Sequence, residues 1–581
     1  MTRRSGLAPL ALVVSLAAAG RAAARTGPGA PASPALSARI ARLEAEVPRL
    51  MAAGEVPGVS IALIEDGRVA WTHGFGVANA DNRDPVRENT VFEGASLSKP
   101  VVAYIALRLT DEGRLDLDAP LTRYVPDPFV AGDPRLEQIT ARRVLDHTSG
   151  LPNGRTADAI RIHFAPGERF SYSGEGYIYL QAALERITGE PLQTLAEGMV
   201  FGPMGMTNSA FVWQERLDSL MAYGHAETGE VTGRRRFPVA SAASSLETTA
   251  GDYARFIAAV LGGAGLRDET RSEMMRAQVR TDSTCSVCVE QRTAPRTGAD
   301  GWGLGWGVAP TAEGGTVLWH WGDNGVMKAY VAVRADGRRG VVILTNGANG
   351  HAITPDIAAA ALGAPAPGFA WLRYDHYDSP GRLLLRRIVA GDAAALPDLA
   401  ARQRGERPEP ALEETDINSL GYRLLARKRF PDAVRVLRMN AERLPASANA
   451  HDSYGEALLA AGDTAAAVAS YRRAAELGGE NAAAVLARLT RPVVRVAPGI
   501  LDAYTGRYDT PMGPLTVTRD ADGLEGTLGT EGSARLIAIS ETRFSVGGNS
   551  NTVDFVRGAD GRVTHAIIRA GGQEIRATRV P

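Results

Sequence analysis

Ser96-Leu97-Ser98-Lys99, continued by Pro100-Val101-Val102, is the stretch from which the rest of this chain is read. Lysine stands at three positions, 99, 328 and 428, and the other 61 of the 64 basic residues are arginine. Arginine carries surface charge as well as lysine does, but its pKa is too high for it to give up a proton, whereas a desolvated lysine can. At the start of a helix, a lysine three residues after a serine shares the serine's face, about one turn away. A serine hydroxyl becomes a useful nucleophile once a base takes its proton. Lys99 can be that base if its surroundings lower its pKa. Phe92, Leu97, Pro100, Val101 and Val102 make them apolar, and the helix N-terminus further disfavours an ammonium.

Working outward, the chain from Ser98 to Asp111 reads as a largely buried helix ended by Gly113. Helical periodicity also runs from near residue 38 to about 53. Apolar runs at 58–64 and 68–71 flank Glu65-Asp66-Gly67, a hairpin signal. Strands are expected again at 316–320, 329–333 and 340–344. A sheet drawn from both ends of this segment, with helices packed on it, accommodates the order.

Two later segments carry side chains suited to the same chemistry. One is Pro166-Gly167-Glu168-Arg169-Phe170-Ser171-Tyr172-Ser173-Gly174-Glu175-Gly176-Tyr177, and the other is Trp319-His320-Trp321-Gly322-Asp323-Asn324-Gly325. With Ser96-Leu97-Ser98-Lys99 and Leu145-Asp146-His147-Thr148-Ser149-Gly150-Leu151-Pro152, they resemble the serine β-lactamase and penicillin-binding-protein superfamily. The likeness is to its class C β-lactamase, esterase and D-aminopeptidase branch, whose elements are S-x-x-K, Y-x-N and K/H-x-G. It covers roughly residues 40 to 365. The resemblance implies an α/β catalytic domain of the β-lactamase/transpeptidase kind, with Ser96 as the acylated nucleophile and Lys99 as the base, or sharing a proton with Tyr172. Tyr172 would relay a proton to the leaving group. Backbone N–H groups of Ser96 and Asp323 would form the oxyanion hole. His320, Gly174 and Gly322 would meet the substrate, Gly322 by letting it approach the backbone. No cofactor and no metal are implied. The G-x-S-x-G nucleophile motif of the α/β hydrolases is absent around Ser96.

Two positions depart from the family pattern. Gly174 stands where Asn is usual, and His320 replaces Lys, which removes a fixed cation near pH 7. Both shift the expected substrate from β-lactams towards small-molecule esters or uncommon amides. A D-amino-acid peptidase or amidase and a true β-lactamase are the alternatives; a silent binding protein is the alternative of another class. Glu175 is a conjectural substitute for the lost Asn. Trp302, Trp306, Trp319 and Trp321 line an acyl pocket or pack the core. His147 reads as a structural loop residue, Lys328 as a strand-end surface charge, and Arg234-Arg235-Arg236 as a solvated loop.

The chain is too long for one domain. Residues 366–411 read as linker with one apolar helix near 380–389. Over 412–492 a 34-residue period pairs Gly421 with Gly455, Leu424 with Leu458, Ala433 with Ala467 and Ala441 with Ala475. That period resembles tetratricopeptide repeats, which would offer a surface to a protein partner. Residues 498–581 alternate as short strands between Gly and Asp turns, an antiparallel β-domain or small barrel. At the other end, Arg3-Arg4, an apolar run from 7 to 19 and Ala22-Ala23-Ala24 read as a signal peptide over 1–24. An uncut anchor is the competing reading. Cleavage implies a periplasmic or secreted protein with no stable membrane insertion. Residues 25–37 read as a disordered linker. Cys285 and Cys288 suggest a local disulfide first, then free thiols. A formal net charge of −1 gives no electrostatic case for nucleic-acid binding.

Overall fold

The computed structural model describes residues 33–580 except 156–159, 282–286, 288–299, 338, 491–493, 512, 521–522, 530–531, 548–550 and 571–572. The expected signal peptide, most of the expected disordered linker, and both cysteines lie outside the described residues. The first helix, Pro34–Gly54, starts earlier than its apolar periodicity suggests, because Ser33 caps it through Leu36 N–H and a proline opens it.

The hairpin forms as read. Strands Gly58–Glu65 and Arg68–Asn79 are joined through Asp66 and Gly67, both at positive φ (47° and 70°), the backbone a tight right-twisted hairpin needs. Strands Lys328–Arg334 and Arg339–Thr345 return from the far end of the domain and pair antiparallel beside Gly58–Glu65. The full order is Asp84–Pro85, Arg68–Asn79, Gly58–Glu65, Arg339–Thr345, Lys328–Arg334, Thr316–Asp323, Gly307–Pro310, Gly301–Trp302, Val279–Arg280. Alternation along Gly58–Glu65 divides two cores. Val59, Ile61 and Leu63 meet Leu43 and Val47 of the first helix and Ile357 of Thr354–Leu362. Ala62 and Ile64 face the core of Tyr253 and Ile257 from Ala250–Leu261. Each such large apolar side chain contributes about 1.5–3 kcal/mol on burial. The chain between 79 and 307 alternates helices with long loops, and the Ser98–Asp111 helix is buried nearly all round.

Residues 366–411 hold the helix expected near 380–389 and two more in place of the linker. They form helices Phe369–Leu372, Pro380–Val389 and Ala395–Gln403. Trp371 is buried against Trp302, Trp319 and Trp321, so the helix Phe369–Leu372 belongs to the core of the first domain. One large aromatic in an Ala/Pro-rich stretch outweighs its linker-like composition.

Helices Glu414–Ala426, Phe430–Arg443, Ala448–Ala460, Thr464–Glu476 and Glu480–Leu489 follow, each packed on the next. The 34-residue period is a packing period. A Cβ on Gly421 would lie 2.4 Å from Leu437, and one on Gly455 would lie 3.2 Å from Tyr471. The helices dock on the first domain through Arg423, which pairs with Glu227 and Asp375, and through Arg427, which pairs with Glu55. The tail, after the short helix Pro498–Tyr504, closes into an eight-stranded antiparallel barrel from Gly506–Thr510 to Gln573–Arg579. Tyr504, Tyr508, Phe544 and Phe555 fill its core. Among the described residues no helix is long and apolar enough to cross a membrane.

Candidate active site

The strand Phe92–Ala95 ends at Ala95 with φ 49°, a left-handed conformation that costs a non-glycine residue energy. The turn it creates presents Ser96 before the helix begins. Side chains help hold the turn: Ser98 Oγ donates to the Ala95 carbonyl at 2.6 Å and accepts from Leu246 N–H at 3.0 Å, and Tyr253 Oη donates to the Leu97 carbonyl at 3.1 Å. Ser96 is partly exposed, whereas Lys99 is 1% exposed.

Lys99 Nζ lies 3.1 Å from Ser96 Oγ and donates to the Ala243 carbonyl at 2.8 Å. It sits 4.8 Å from the Tyr172 ring centre and 5.6 Å from that of Tyr177. Burial without a carboxylate partner lowers its pKa to about 7. The Ala243 carbonyl, in the loop before strand Leu246–Thr248, is a partner that sequence reasoning missed. A main-chain group carries no side-chain signature.

Tyr172 is buried, and burial holds its hydroxyl well above the ordinary phenol range, with the nearby Ser96 hydroxyl offsetting a small part. Its Oη makes no hydrogen bond of normal geometry among the described residues. Tyr172 therefore stays protonated at neutral pH.

The positions expected to read the substrate behave differently. His320 is fully buried, its Nδ1 donates to the Trp321 carbonyl at 2.7 Å, and burial followed by the charge of Lys99 pushes it down to about 3. It is neutral and walled by Tyr172, Trp302 and Trp321, so it offers no ring atom to a ligand. A Cβ on Gly322 would lie 2.4 Å from the Gly94 carbonyl and 3.2 Å from Ala95 Cβ. The strand leading to Ser96 therefore occupies the space a side chain at 322 would need. A Cβ on Gly174 would lie 2.3 Å from the Asn153 carbonyl. The Asn153 loop covers this glycine, and an asparagine would not fit. Glu175 turns to Arg155, at 3.1 Å, and substitutes for nothing at Lys99.

Asp323 is tied by its carboxylate to Lys328 and to Tyr374 Oη, the latter at 2.8 Å. Lys328 is 7% exposed, so it is a buried ion-pair partner and not a surface charge. Among the described residues the Thr316–Asp323 strand pairs with Gly307–Pro310 over residues 316–319 and not over 320–323. The tryptophans 302, 306, 319 and 321 are all buried and pack the core. Arg235 pairs with buried Glu93, while Arg234 and Arg236 hold Asp218, so this run is pinned. Among the described residues no cluster of His, Cys, Asp or Glu is arranged to hold a metal ion.

The Beta-lactamase family model matches residues 43–364, and the chain belongs to that family. It is 31% identical over 206 residues to esterase EstB of Burkholderia gladioli, covering 30% of this chain and 52% of EstB. It is 28% identical over 176 residues to protein flp of Staphylococcus aureus strain COL, covering 27% of this chain and 35% of flp. The chain thus spans about half the length of the first of these relatives and about a third of the second. A class C β-lactamase structure is 20% identical and covers 57% of this chain and 98% of its own, with a TM-score of 0.49.

Proposed function

We propose that this chain is an exported serine hydrolase that works through an acyl-enzyme on Ser96, and that it is a β-lactamase-like carboxylesterase. The observation that carries the reading is a buried Lys99 amine 3.1 Å from Ser96 Oγ with its pKa lowered to about 7. Neutral Lys99 takes the Ser96 proton as Oγ attacks the ester carbonyl. Backbone N–H groups of Ser96 and Asp323 stabilise the oxyanion. Tyr172 gives its proton to the departing alkoxide and regains one from the Lys99 ammonium. Water then attacks the acyl-serine, its proton passing to the Tyr172–Lys99 pair as Oγ recovers its own.

An ester is favoured because the site lacks a free cation for a substrate carboxylate at the family's usual position. His320 is neutral and buried, and Lys328 is neutralised by Asp323. The esterase name of the EstB relative supports the same choice. The C-terminal helices, read as tetratricopeptide-like, would hold a protein partner, and the N-terminal leader would deliver the chain to the periplasm or medium.

A fluorophosphonate probe with mass-spectrometric mapping tests the mechanism. Labelling of Ser96 that vanishes in Lys99→Ala is expected, and a folded protein that takes no label overturns the reading. p-Nitrophenyl esters, nitrocefin and D-aminoacyl anilides then rank ester, β-lactam and D-peptide substrates.

A further inference from the structure

We propose that His147 is a positioning residue for Tyr172, acting through an Nδ1 atom that must remain a hydrogen-bond acceptor. The inference rests on the proposed hydrolase reading. Tyr172 lies in a segment, 171–173, that belongs to no helix or strand. Its two neighbours both hang on His147: the Ser171 N–H donates to the His147 carbonyl at 2.9 Å, and the Ser173 N–H donates to His147 Nδ1 at 3.0 Å. Between these two bonds the imidazole lies on the Tyr172 ring, with centres 4.2 Å apart and planes inclined by 32°. One residue therefore fixes the backbone on both sides of Tyr172 and one face of its ring.

The placement is costly, which argues that it is used. His147 has φ 59°, a conformation that L side chains adopt with strain. Its ring is fully buried, and Nε2 has no partner among the described residues. An Nδ1 that accepts from Ser173 leaves the ring proton on Nε2, so one neutral tautomer is required. Burial, and then the nearby Lys99 amine when it is protonated, hold the ring in that neutral form. Protonation would place a donor against the Ser173 N–H and release the segment.

The amide of asparagine can place an acceptor near the position of Nδ1, and asparagine tolerates positive φ. Phenylalanine keeps the ring but has no acceptor. Glutamine keeps polarity but carries its acceptor further out. His147→Asn is therefore expected to retain kcat within about tenfold, whereas His147→Phe and His147→Gln lose on the order of 10²-fold with KM little changed, the cost of a small misplacement at the reacting centre. Amide hydrogen exchange over 170–174 reads the same geometry without turnover: faster in the Phe and Gln variants, unchanged in the Asn variant. Full activity in His147→Phe, an Asn variant as impaired as Phe, or equal exchange in all variants overturns the proposal. If the unmodified protein neither labels at Ser96 nor turns over esters, the hydrolase reading fails, and the exchange pattern still decides the role of His147. If the Phe variant does not fold, the Gln variant carries the comparison.

Discussion

The barrel and the surroundings of Ser96 both bury tyrosines, but the hydroxyls of Tyr504 and Tyr508 are paired and that of Tyr172 is not. In the barrel, Tyr504 Oη donates to the Glu541 carbonyl at 2.9 Å and Tyr508 Oη to the Tyr504 carbonyl at 2.8 Å. Around Ser96, by contrast, Tyr172 Oη, His147 Nε2, His320 Nε2 and both oxygens of Glu247 are buried with no partner among the described residues. A buried polar group without a partner costs about 1–3 kcal/mol. The two barrel tyrosines avoid that cost. The β-lactamase-family domain holds Lys99 at about 7, which suits proton transfer at a pH where an ordinary lysine is inert.

The sharpest way to break this contrast is to remove a displaced group that the reaction uses. Lys99→Met is expected to lower kcat/KM for p-nitrophenyl esters by about 10⁴-fold. In the unaltered protein kcat/KM should rise with pH through about 7 as Nζ loses its proton. A variant within tenfold of the original would remove Lys99 from the base role.

The barrel should respond in the opposite way. Phe555 stacks on Tyr504 at 4.2 Å, and Phe555→Ala should cost about 3–5 kcal/mol of barrel stability while leaving ester turnover unchanged. Loss of kcat in a barrel-destabilised variant would show that the two regions are energetically joined.

Glu247 sharpens the comparison through pH. It faces Glu93 across the paired strands Phe92–Ala95 and Leu246–Thr248, and burial, followed by the charges of Glu93 and Asp218, raises it from 4.5 to about 7. The folded protein then holds that proton more tightly than the unfolded chain does. The stability it contributes is complete below 4.5 and is lost as pH rises through about 7. The amount is on the order of 3 kcal/mol. Thermal melts from pH 4 to 8 should show Tm of the unaltered protein falling and that of Glu247→Gln falling less. Parallel curves would assign the slope elsewhere.

The smallest effect concerns packing beside Ser96. Gly322→Ala forces a methyl against the Gly94 carbonyl and should cost about 1–3 kcal/mol, with kcat falling more than KM changes. A change confined to KM would instead return Gly322 to the substrate-binding role.

The sequence determined the parts of this protein that depend on local pattern. Alternation and Asp66-Gly67 specified the hairpin, the Ser96–Lys99 spacing set two side chains on adjoining turns, and a 34-residue period marked the sites where glycine admits Leu437 and Tyr471. These features repeat at fixed intervals and can be read without knowing what lies across the fold. Only the tertiary structure decided what each group meets. Ala243, 144 residues from Lys99, supplies its second partner. The Asn153 loop accounts for Gly174, the Gly94 carbonyl for Gly322, and Trp371 joins the core from a stretch that reads as linker. The physical reason is common to all four: burial and close approach are set by distant chain segments, and main-chain groups leave no mark in the identity of the residue that bears them.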